Sequence, residues 1–461
     1  MLAIPGIVAL VIFIYARPQE FFEQLRAVPL LYLFFGLALF GALVDFRLHN
    51  LKLRTTPQLP WAMAFFVYAA VVVFIRAPGV AVSHVMGLSI CMALYLVIAH
   101  GLQSFRAFNI VAVSVLAMVV FVCGVGSLQG FSETQCVQID ESTPGDSTVG
   151  KADGRPCETP RSCYYGDAEP GAEYMCENVG LFGTTSIGRG RVRYRGVLQD
   201  PNELALAGAV GLPLAFGFGQ SRRRSTPRWL VAVLTLLLVV LCTVLTRSRG
   251  GQLVFLAVLA AYFTRRFGAT GLAIGGVLAA PLMLLGGRAG QEADSSTSER
   301  LDCWAEALAM WREHPIFGVG LGQFNEYHYK TAHNSYLLTL AELGLPGMLL
   351  FSVIVYLSAK IPFVVLNRID RNDEAARPAR AWAMALLAAF AGLAVGIFFL
   401  SFAYHYVLWI YIGLAGALYS AVRRHDPSIR VVLGVRDFAF VAATNLVMIV
   451  AIYFYTRWAL A

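Results

Sequence analysis

Apolar runs long enough to cross a lipid bilayer recur along this chain from one end to the other. A membrane-spanning helix needs about 20 predominantly apolar residues, and the chain is 58% hydrophobic and only 14% charged. Because lipid offers the backbone no hydrogen-bond partners, such runs predict helices. The sequence therefore predicts an all-α polytopic membrane protein with about 12–13 transmembrane helices. The predicted spans are 2–15, 28–44, 60–75, 81–100, 107–128, 201–219, 229–246, 250–264, 270–285, 335–358, 381–400, 404–421 and 438–456.

Lysine and arginine are concentrated between the predicted spans. If the spans alternate in direction, every large basic cluster falls on one side, as on the cytoplasmic side of membrane proteins. The net charge of +8 is therefore explained by topology and does not indicate a nucleic-acid partner. The clusters are Arg47, Lys52 and Arg54; Arg222, Arg223, Arg224 and Arg228; Arg265 and Arg266; Arg368, Arg371, Arg377 and Arg380; and Arg423, Arg424, Arg430 and Arg436.

This topology places the start of the chain in the cytoplasm and two large loops on the opposite side. Met1 to Tyr15 lacks a basic start and a small-residue cleavage site, so we expect a retained span rather than a cleaved signal. The predicted segments are 1–128, N-terminal transmembrane helices; 129–200, an external loop with four cysteines; 201–285, central transmembrane helices; 286–334, an external loop with candidate catalytic residues; and 335–461, C-terminal transmembrane helices.

Four of the eight cysteines lie in the first external loop: Cys136, Cys157, Cys163 and Cys176. An even number of cysteines in an oxidising compartment predicts disulfides, and four cysteines allow three pairings. A zinc site is the alternative, although no Cys-x-x-Cys pair is present. We expect an irregular lobe held together by these cysteines.

The second half of this loop is strongly basic. Arg189, Arg191, Arg193 and Arg195 alternate with other residues, so an extended segment would put all four guanidiniums on one face. Arginine binds phosphate oxygens through two parallel hydrogen bonds. Two interpretations remain open: a substrate site, or a solvated basic strand that contacts lipid headgroups.

Two further segments on this side begin predicted helices. The Asp200 to Glu203 segment has the N-cap, N1 proline and N3 glutamate of a helix start, and Asn202 within it is a candidate to position a substrate. Arg247 and Arg249 lie in a short external turn, where arginines are costly and usually paired or functional. Capping and snorkelling to the interface are the alternatives for these residues.

The second external loop begins with a predicted helix. Ser296 and Glu299 form a capping box, and the helix should run to Glu313. Arg300, Trp304 and Trp311 share one face of it. We expect the tryptophans to lie at the lipid interface and to hold Arg300 near the headgroups.

His333 precedes the tenth predicted span, with Asn334 or Ser335 as its N-cap. The positive end of a helix disfavours imidazolium, so a neutral His333 could act as a general base near pH 7. A simple polar contact is the alternative. Glu342, about two turns inside the span, is a candidate partner, and Gly344 should loosen the helix. The histidines and acidic residues of the loops lack metal-ligand spacing, so we predict no metal and no cofactor.

At these residues the chain resembles the O-antigen ligase and O-antigen polymerase superfamily of bacterial envelope enzymes. The resemblance covers about residues 180–360. It rests on Arg195-Gly196 through Asp200-Pro-Asn202-Glu-Leu-Ala205, Ser248-Arg249-Gly-Gly251, Arg300 with Trp304, His314-Pro-Ile-Phe-Gly318-Val-Gly-Leu-Gly322, His333-Asn-Ser-Tyr336 and Glu342-Leu-Gly344, with a weak match at Ala16-Arg-Pro-Gln-Glu20.

The resemblance implies a GT-C-like, metal-independent membrane glycosyltransferase in the bacterial inner membrane, with its active site on the periplasmic side. The donor would be a glycan on undecaprenyl pyrophosphate, and the acceptor lipid A–core or a growing polysaccharide. His333 would deprotonate the acceptor hydroxyl, and Arg195, Arg249 and Arg300 would hold the pyrophosphate. Arg247, Asn202 and Glu342 are further candidates for substrate binding. The cysteine-bearing insertion and the thirteenth span depart from the family pattern.

Several functions remain open at this stage. A ligase transfers a finished glycan, a polymerase joins repeat units, and transfer to protein is a third possibility, all with similar residues. A polysaccharide transporter or flippase would instead have broken helices and ionisable groups near the midplane, usually in two related halves. The sequence shows no such halves, and its polar residues of interest lie in external loops. A non-catalytic scaffold is the remaining alternative.

Overall fold

The computed structural model describes residues 1–52, 54–139, 150–166, 168–188, 190–222, 225–285, 291–370 and 372–460. Four arginines of the predicted basic segments lie outside these ranges, namely Arg189, Arg223, Arg224 and Arg371, as do 286–290 of the second external loop. The helices are α1 Ala3–Ala16, α2 Leu30–Arg47, α3 Leu59–Arg76, α4 Ala81–Gly101, α5 Phe105–Gln129, α6 Pro201–Gln220, α7 Thr226–Thr246, α8 Arg249–Phe267, α9 Ala269–Leu285, α10 Gln291–Glu313, α11 Phe324–Tyr327, α12 Ser335–Arg368, α13 Arg377–Phe399, α14 Tyr406–His425 and α15 Val435–Ala459.

The protein is an all-α polytopic membrane protein. Among the described residues, ten helices are long and apolar enough to cross a membrane: α2 to α7 and α12 to α15. The remaining predicted spans are helical as well, but α1 has only 14 residues and α9 only 17. Three arginines reduce the hydropathy of α8. The structure thus has helices at all the predicted positions, while fewer than the predicted 12–13 meet the criteria for a span.

Helix α6 forms the centre of the bundle. Every residue from Leu204 to Gly217 is buried, against α5, α7, α8 and α13. Small residues permit this packing, since a Cβ added to Gly211 would lie 2.5 Å from a methyl group of Val119. Because α6 is central, its first residues lie inside the protein rather than at the lipid surface.

Side-chain contacts gather the connections between helices at two ends of the bundle. At one end, Gln103 accepts a hydrogen bond from the backbone N–H of Lys52, and Arg54 donates to the carbonyl of Ser420. These bonds join the α2–α3 connection to the ends of α4 and α14. At the other end, Tyr194 donates to the carbonyl of Ala16 and thereby fixes the first long loop over α1.

The first long loop contains a small antiparallel sheet with strand order β2-β1-β3, formed by β1 Thr134–Ile139, β2 Gly150–Pro156 and β3 Tyr174–Asn178. Disulfides join Cys136 to Cys163 and Cys157 to Cys176. Three of these sulfurs lie within 4.8 Å of one another, as in a metal site. In the disulfide state they carry no thiolate to bind a metal. The prediction that this lobe is irregular is wrong, because its strands form a sheet in which β-forming residues of β1 and β3 pair with each other.

Helix α10 differs from the prediction at its start and in its surroundings. It begins by Gln291, ahead of the expected capping box, and ends at Glu313 as expected. Trp304 is buried and packs edge-on against Phe398 at 5.5 Å. The expectation that this tryptophan lies at the lipid interface is wrong, since α10 folds back onto α12 and α15. Arg300 is consequently fixed to the bundle.

Candidate active site

Three helices begin close to the candidate residues, each with a side-chain cap. Asp200 caps α6 by accepting from Asn202 N–H at 2.6 Å, and Glu203 completes the capping box. Ser248 caps α8, accepting from Gly251 N–H at 2.9 Å. Asn334 caps α12 and accepts from two backbone N–H groups. A cap satisfies only one or two of the four free N–H groups at a helix start. The remaining N–H groups and the helix dipole favour anions there.

The starts of α6 and α8 are joined directly. The buried Ser248 hydroxyl donates to the Asn202 side-chain oxygen at 2.6 Å. The two backbones approach closely because Gly251 faces Ala205, where an added Cβ would lie only 2.4 Å from that of Ala205. Asn202 is thus fixed in orientation by α8, which is a structural contact that its sequence position did not reveal.

The start of α12 is joined to the end of α13. Ser335 donates through its hydroxyl to the carbonyl of Leu400 at 2.6 Å and accepts from Phe402 N–H at 2.7 Å. The Arg300 guanidinium lies over the ring of Phe399, 6.0 Å from its centroid. A narrow cleft lies between α6, α8, α10 and the end of α13, and it is lined by Asn202, Leu206, Gly250, Gly251, Val254, Arg300, Gly396, Phe399 and Leu400.

His333 lies at the edge of this site in a left-handed backbone conformation, with φ 47°. Burial lowers the pKa of the His333 imidazole, and the positive charge of Arg300 lowers it further. Asp200 raises this pKa, while Lys330 lowers it. Burial and the cations prevail, so the imidazole is neutral at neutral pH. The ring nitrogen that carries no hydrogen can then accept a proton through its lone pair.

Glu342 is buried beside a break in α12. Gly344 has φ 66° and ψ −173°, which interrupts the helix as the sequence predicted. The break frees the carbonyls of Ala341 and Glu342, which accept instead from Val319 N–H and Gly320 N–H, both at 2.9 Å. Freed backbone groups inside a membrane protein need such partners. A glycine-rich turn, residues 315–322, is thereby attached to α12, the helix that follows His333.

The Glu342 carboxylate strengthens the same attachment. One of its oxygens accepts from Phe324 N–H at 3.3 Å, just after the glycine-rich turn. The Glu342 carboxylate therefore contacts the segment of this turn. Among the described residues, no hydrogen bond joins it to His333, the candidate partner predicted from the sequence. Tyr68 on α3 also donates to the carbonyl of Ile316 and fixes the turn from the other side.

Arg195 lies apart from the cleft. Its guanidinium donates to the carbonyls of Gly183 and Glu20 and lies over the Phe21 ring at 5.7 Å. Burial lowers the pKa of the Arg195 guanidinium, and the nearby Glu20 carboxylate raises it. The structure thus groups Arg195 with the segment after α1. Arg193 is likewise bound within the loop, by Thr185.

Arg247 and Arg249 are exposed on either side of the buried Ser248. Arg247 ends α7 in a left-handed conformation, and Arg249 is the first residue of α8. Arg249 does not line the cleft, but its neighbour Gly250 does.

Sequence reasoning missed several residues that build the site. Ser248 entered only as part of a motif, although a serine just before a predicted helix is an N-cap signal. The proximity of Asp200 to His333 and the contribution of Phe399 and Leu400 had no sequence signal, since they come from segments far apart in the chain.

The fold and the site define a class: a polytopic membrane protein in which a neutral histidine, an arginine and helix N-termini meet at one end of the bundle. Residues 234–352 match the family model described as O-Antigen ligase. This match supports membership of the O-antigen ligase superfamily and a membrane glycosyltransferase-like enzyme, as the motifs predicted. The matched segment contains Arg249, Arg300, His333 and Glu342. No curated protein matches the chain.

Proposed function

We propose that this protein transfers a glycan from undecaprenyl pyrophosphate to an acceptor sugar hydroxyl at the periplasmic face of the bacterial inner membrane. The observation that carries the proposal is the lowered pKa of His333 in a site that also contains Arg300. A neutral base next to a fixed cation fits a reaction in which a hydroxyl loses a proton and a pyrophosphate leaves.

The anionic leaving group would bind where α6 and α8 begin. The dipoles of both helices favour negative charge at this end, and Arg300 lines the cleft between them. Arg249 is exposed next to Gly250 of the cleft wall, and we propose that it contacts the lipid-linked pyrophosphate from outside. Arg195 and Arg247 are proposed to contact other parts of the donor, since neither lines the cleft. Fixed cations and dipoles of this kind stabilise charge as it develops.

His333 would accept the proton of the acceptor hydroxyl as that oxygen bonds to the anomeric carbon of the donor sugar. The bond from this carbon to the pyrophosphate oxygen breaks with both electrons going to the pyrophosphate. The proton remains on the imidazole, and Arg300 balances the charge on the leaving group. Pyrophosphate is a good leaving group, so positioning and charge stabilisation provide most of the required catalysis.

Within this function we favour ligase-type transfer to lipid A–core slightly over a polymerase; the family match supports ligase- or polymerase-type function in general. A polymerase that joins lipid-linked repeat units is the second candidate. A deletion strain separates them when its surface polysaccharide is sized on a gel. Complete loss of lipid A–linked glycan indicates a ligase, whereas single-repeat products indicate a polymerase. An unchanged polysaccharide profile would contradict both.

A further inference from the structure

A cavity of about 620 Å³ opens at the end of the bundle opposite the candidate active site. It lies where α6 and α8 end and where α7 and α13 begin. Five arginines line it: Arg222, Arg265, Arg266, Arg377 and Arg380. Among the described residues, the lining contains no carboxylate. A signal for membrane orientation needs basic residues only on the correct side, so topology does not require them to share a cavity.

Among the described residues, the hydrogen-bond partners of these arginines include one carboxylate, and the others are neutral oxygens. Arg380 donates to a backbone carbonyl, that of Asp370, at 2.7 Å. Arg265 donates to the side-chain oxygen of Asn367, which is also neutral. Arg377 forms an ion pair with Glu374. Neutral oxygens orient a guanidinium without balancing its charge.

The helix dipole makes the arrangement more unfavourable still in the absence of an anion. Arg377 and Arg380 lie in the first turn of α13, which contains no acidic residue. Cations at a helix N-terminus oppose the dipole, whereas a bound anion satisfies both the dipole and the cations. The cavity therefore combines two features that stabilise phosphate, namely guanidinium forks and an N-terminal helix end.

The wall of the cavity is continuous with a lipid-facing surface. Trp229, at the start of α7, lines the cavity and is 39% exposed. One and two turns further along the same face, Val233 and Leu237 are 49% and 60% exposed. Leu366 and Met384 add apolar area within the cavity. A ligand with a phosphate head and acyl chains would place its head among the arginines and its chains along α7.

We propose that this cavity binds the phosphate headgroup of an anionic phospholipid from the adjacent leaflet. Basic pockets between transmembrane helices are suited to such headgroups. The site is separate from the proposed transferase chemistry, and its function does not depend on that proposal.

The test is native mass spectrometry of the full-length protein with an equimolar mixture of phosphatidylglycerol and phosphatidylethanolamine of identical acyl chains. We expect the parent to retain phosphatidylglycerol preferentially. The Arg265→Gln/Arg380→Gln variant should retain it about 30-fold less, given the usual contribution of each arginine near an anionic membrane. Equal retention of the two lipids by the parent, or undiminished retention by the variant, would overturn the proposal.

Two controls make the test specific. Arg430→Gln/Arg436→Gln removes two exposed arginines that do not line the cavity, one in the α14–α15 connection and one in the first turn of α15, and this variant should retain the lipid normally. Equal loss in this control would mean that net charge alone binds the lipid. If the double cavity variant does not fold, the single variant Arg222→Gln, at an exposed position, tests the same site. If inorganic phosphate alone displaces phosphatidylglycerol at equal concentration, the ligand is a free phosphate and the lipid assignment is wrong.

Discussion

At the scale of single residues, the site depends on how its surroundings set the protonation of His333. Burial alone would lower the pKa of an imidazole, because it disfavours the charged form. Arg300 adds to this effect, while Asp200 opposes it. The base is therefore in its active, neutral form over a wider pH range than an isolated histidine.

A change of charge at Arg300 should move this range. Transfer requires neutral His333, so the rate rises with pH through the pKa of the imidazole. Arg300→Gln removes a cation that lowers this pKa, so the acid limb of the pH–rate profile should move to higher pH. The rate on the plateau should fall roughly 10²- to 10³-fold, as on loss of a charge-stabilising donor.

Arg300→Lys is the matched control, since it keeps the charge and should keep the position of the acid limb. The measurement is glycan transfer by purified protein over a pH series. An acid limb at the same pH in the parent and in Arg300→Gln would show that Arg300 does not act on His333.

At the scale of helices, close approach and a broken helix position the site. The α6–α8 contact through Gly251 allows Ser248 to reach Asn202 at 2.6 Å. The break at Gly344 allows α12 to bind the glycine-rich turn. Gly251 is required because a Cβ there would collide with Ala205, and Gly344 is required because its backbone has a positive φ.

Gly251→Ala should separate α6 from α8 and weaken the Ser248–Asn202 bond. Overpacking of this kind costs roughly 1–3 kcal/mol. We expect a lower melting temperature and reduced transfer. Gly124→Ala is the control, because the space around Gly124 is open; there alanine should be neutral or should stabilise the helix by about 0.5–1 kcal/mol. Equal melting temperatures for the two variants would contradict the proposed close contact.

Gly344→Ala should disrupt the glycine-rich turn. The backbone conformation at this position is favourable only for glycine and costs other residues roughly 1–3 kcal/mol. In addition, a Cβ would lie 2.0 Å from the carbonyl oxygen of Ile316. We expect faster proteolysis within 314–324 and loss of transfer. Gly36→Ala, at an open position in α2, is the control. Unchanged proteolysis would show that the turn does not depend on the break.

At the scale of the whole molecule, the protein has two chemically different ends. One end carries the basic connections and the arginine-lined cavity, and the other carries the disulfide-stapled lobe, α10 and the cleft around Arg300. Helix α6 runs through the centre of the bundle from one end to the other. Its first residues line the cleft and its last residues line the cavity. The proposed transfer and the proposed lipid binding therefore use opposite ends of one bundle.

Much of this architecture followed from local sequence signals. Hydropathy located the helices, the Asp200 cap predicted the start of α6, and the choice between Asn334 and Ser335 predicted the start of α12 to within one residue. Gly344 predicted a loosened helix where the structure has a break. What could not be predicted depends on contacts between distant segments. The burial of Trp304 depends on Phe398, and the partners of Arg195 are residues after α1. Side chains with both apolar and polar parts, such as tryptophan and arginine, occur at lipid interfaces and in protein interiors. Their spacing in the sequence therefore does not show which of these environments they occupy.

The central claim is that His333 is the base of a glycan transfer. The most direct measurement is transfer from a pyrophosphate-linked glycan to an acceptor by purified His333→Ala protein in liposomes, beside the parent. His49→Ala is the control, because His49 is exposed in the α2–α3 connection at the other end of the bundle. We predict that His333→Ala abolishes transfer with unchanged melting temperature and membrane insertion, while His49→Ala remains fully active. Undiminished transfer by a folded His333→Ala protein would contradict this account.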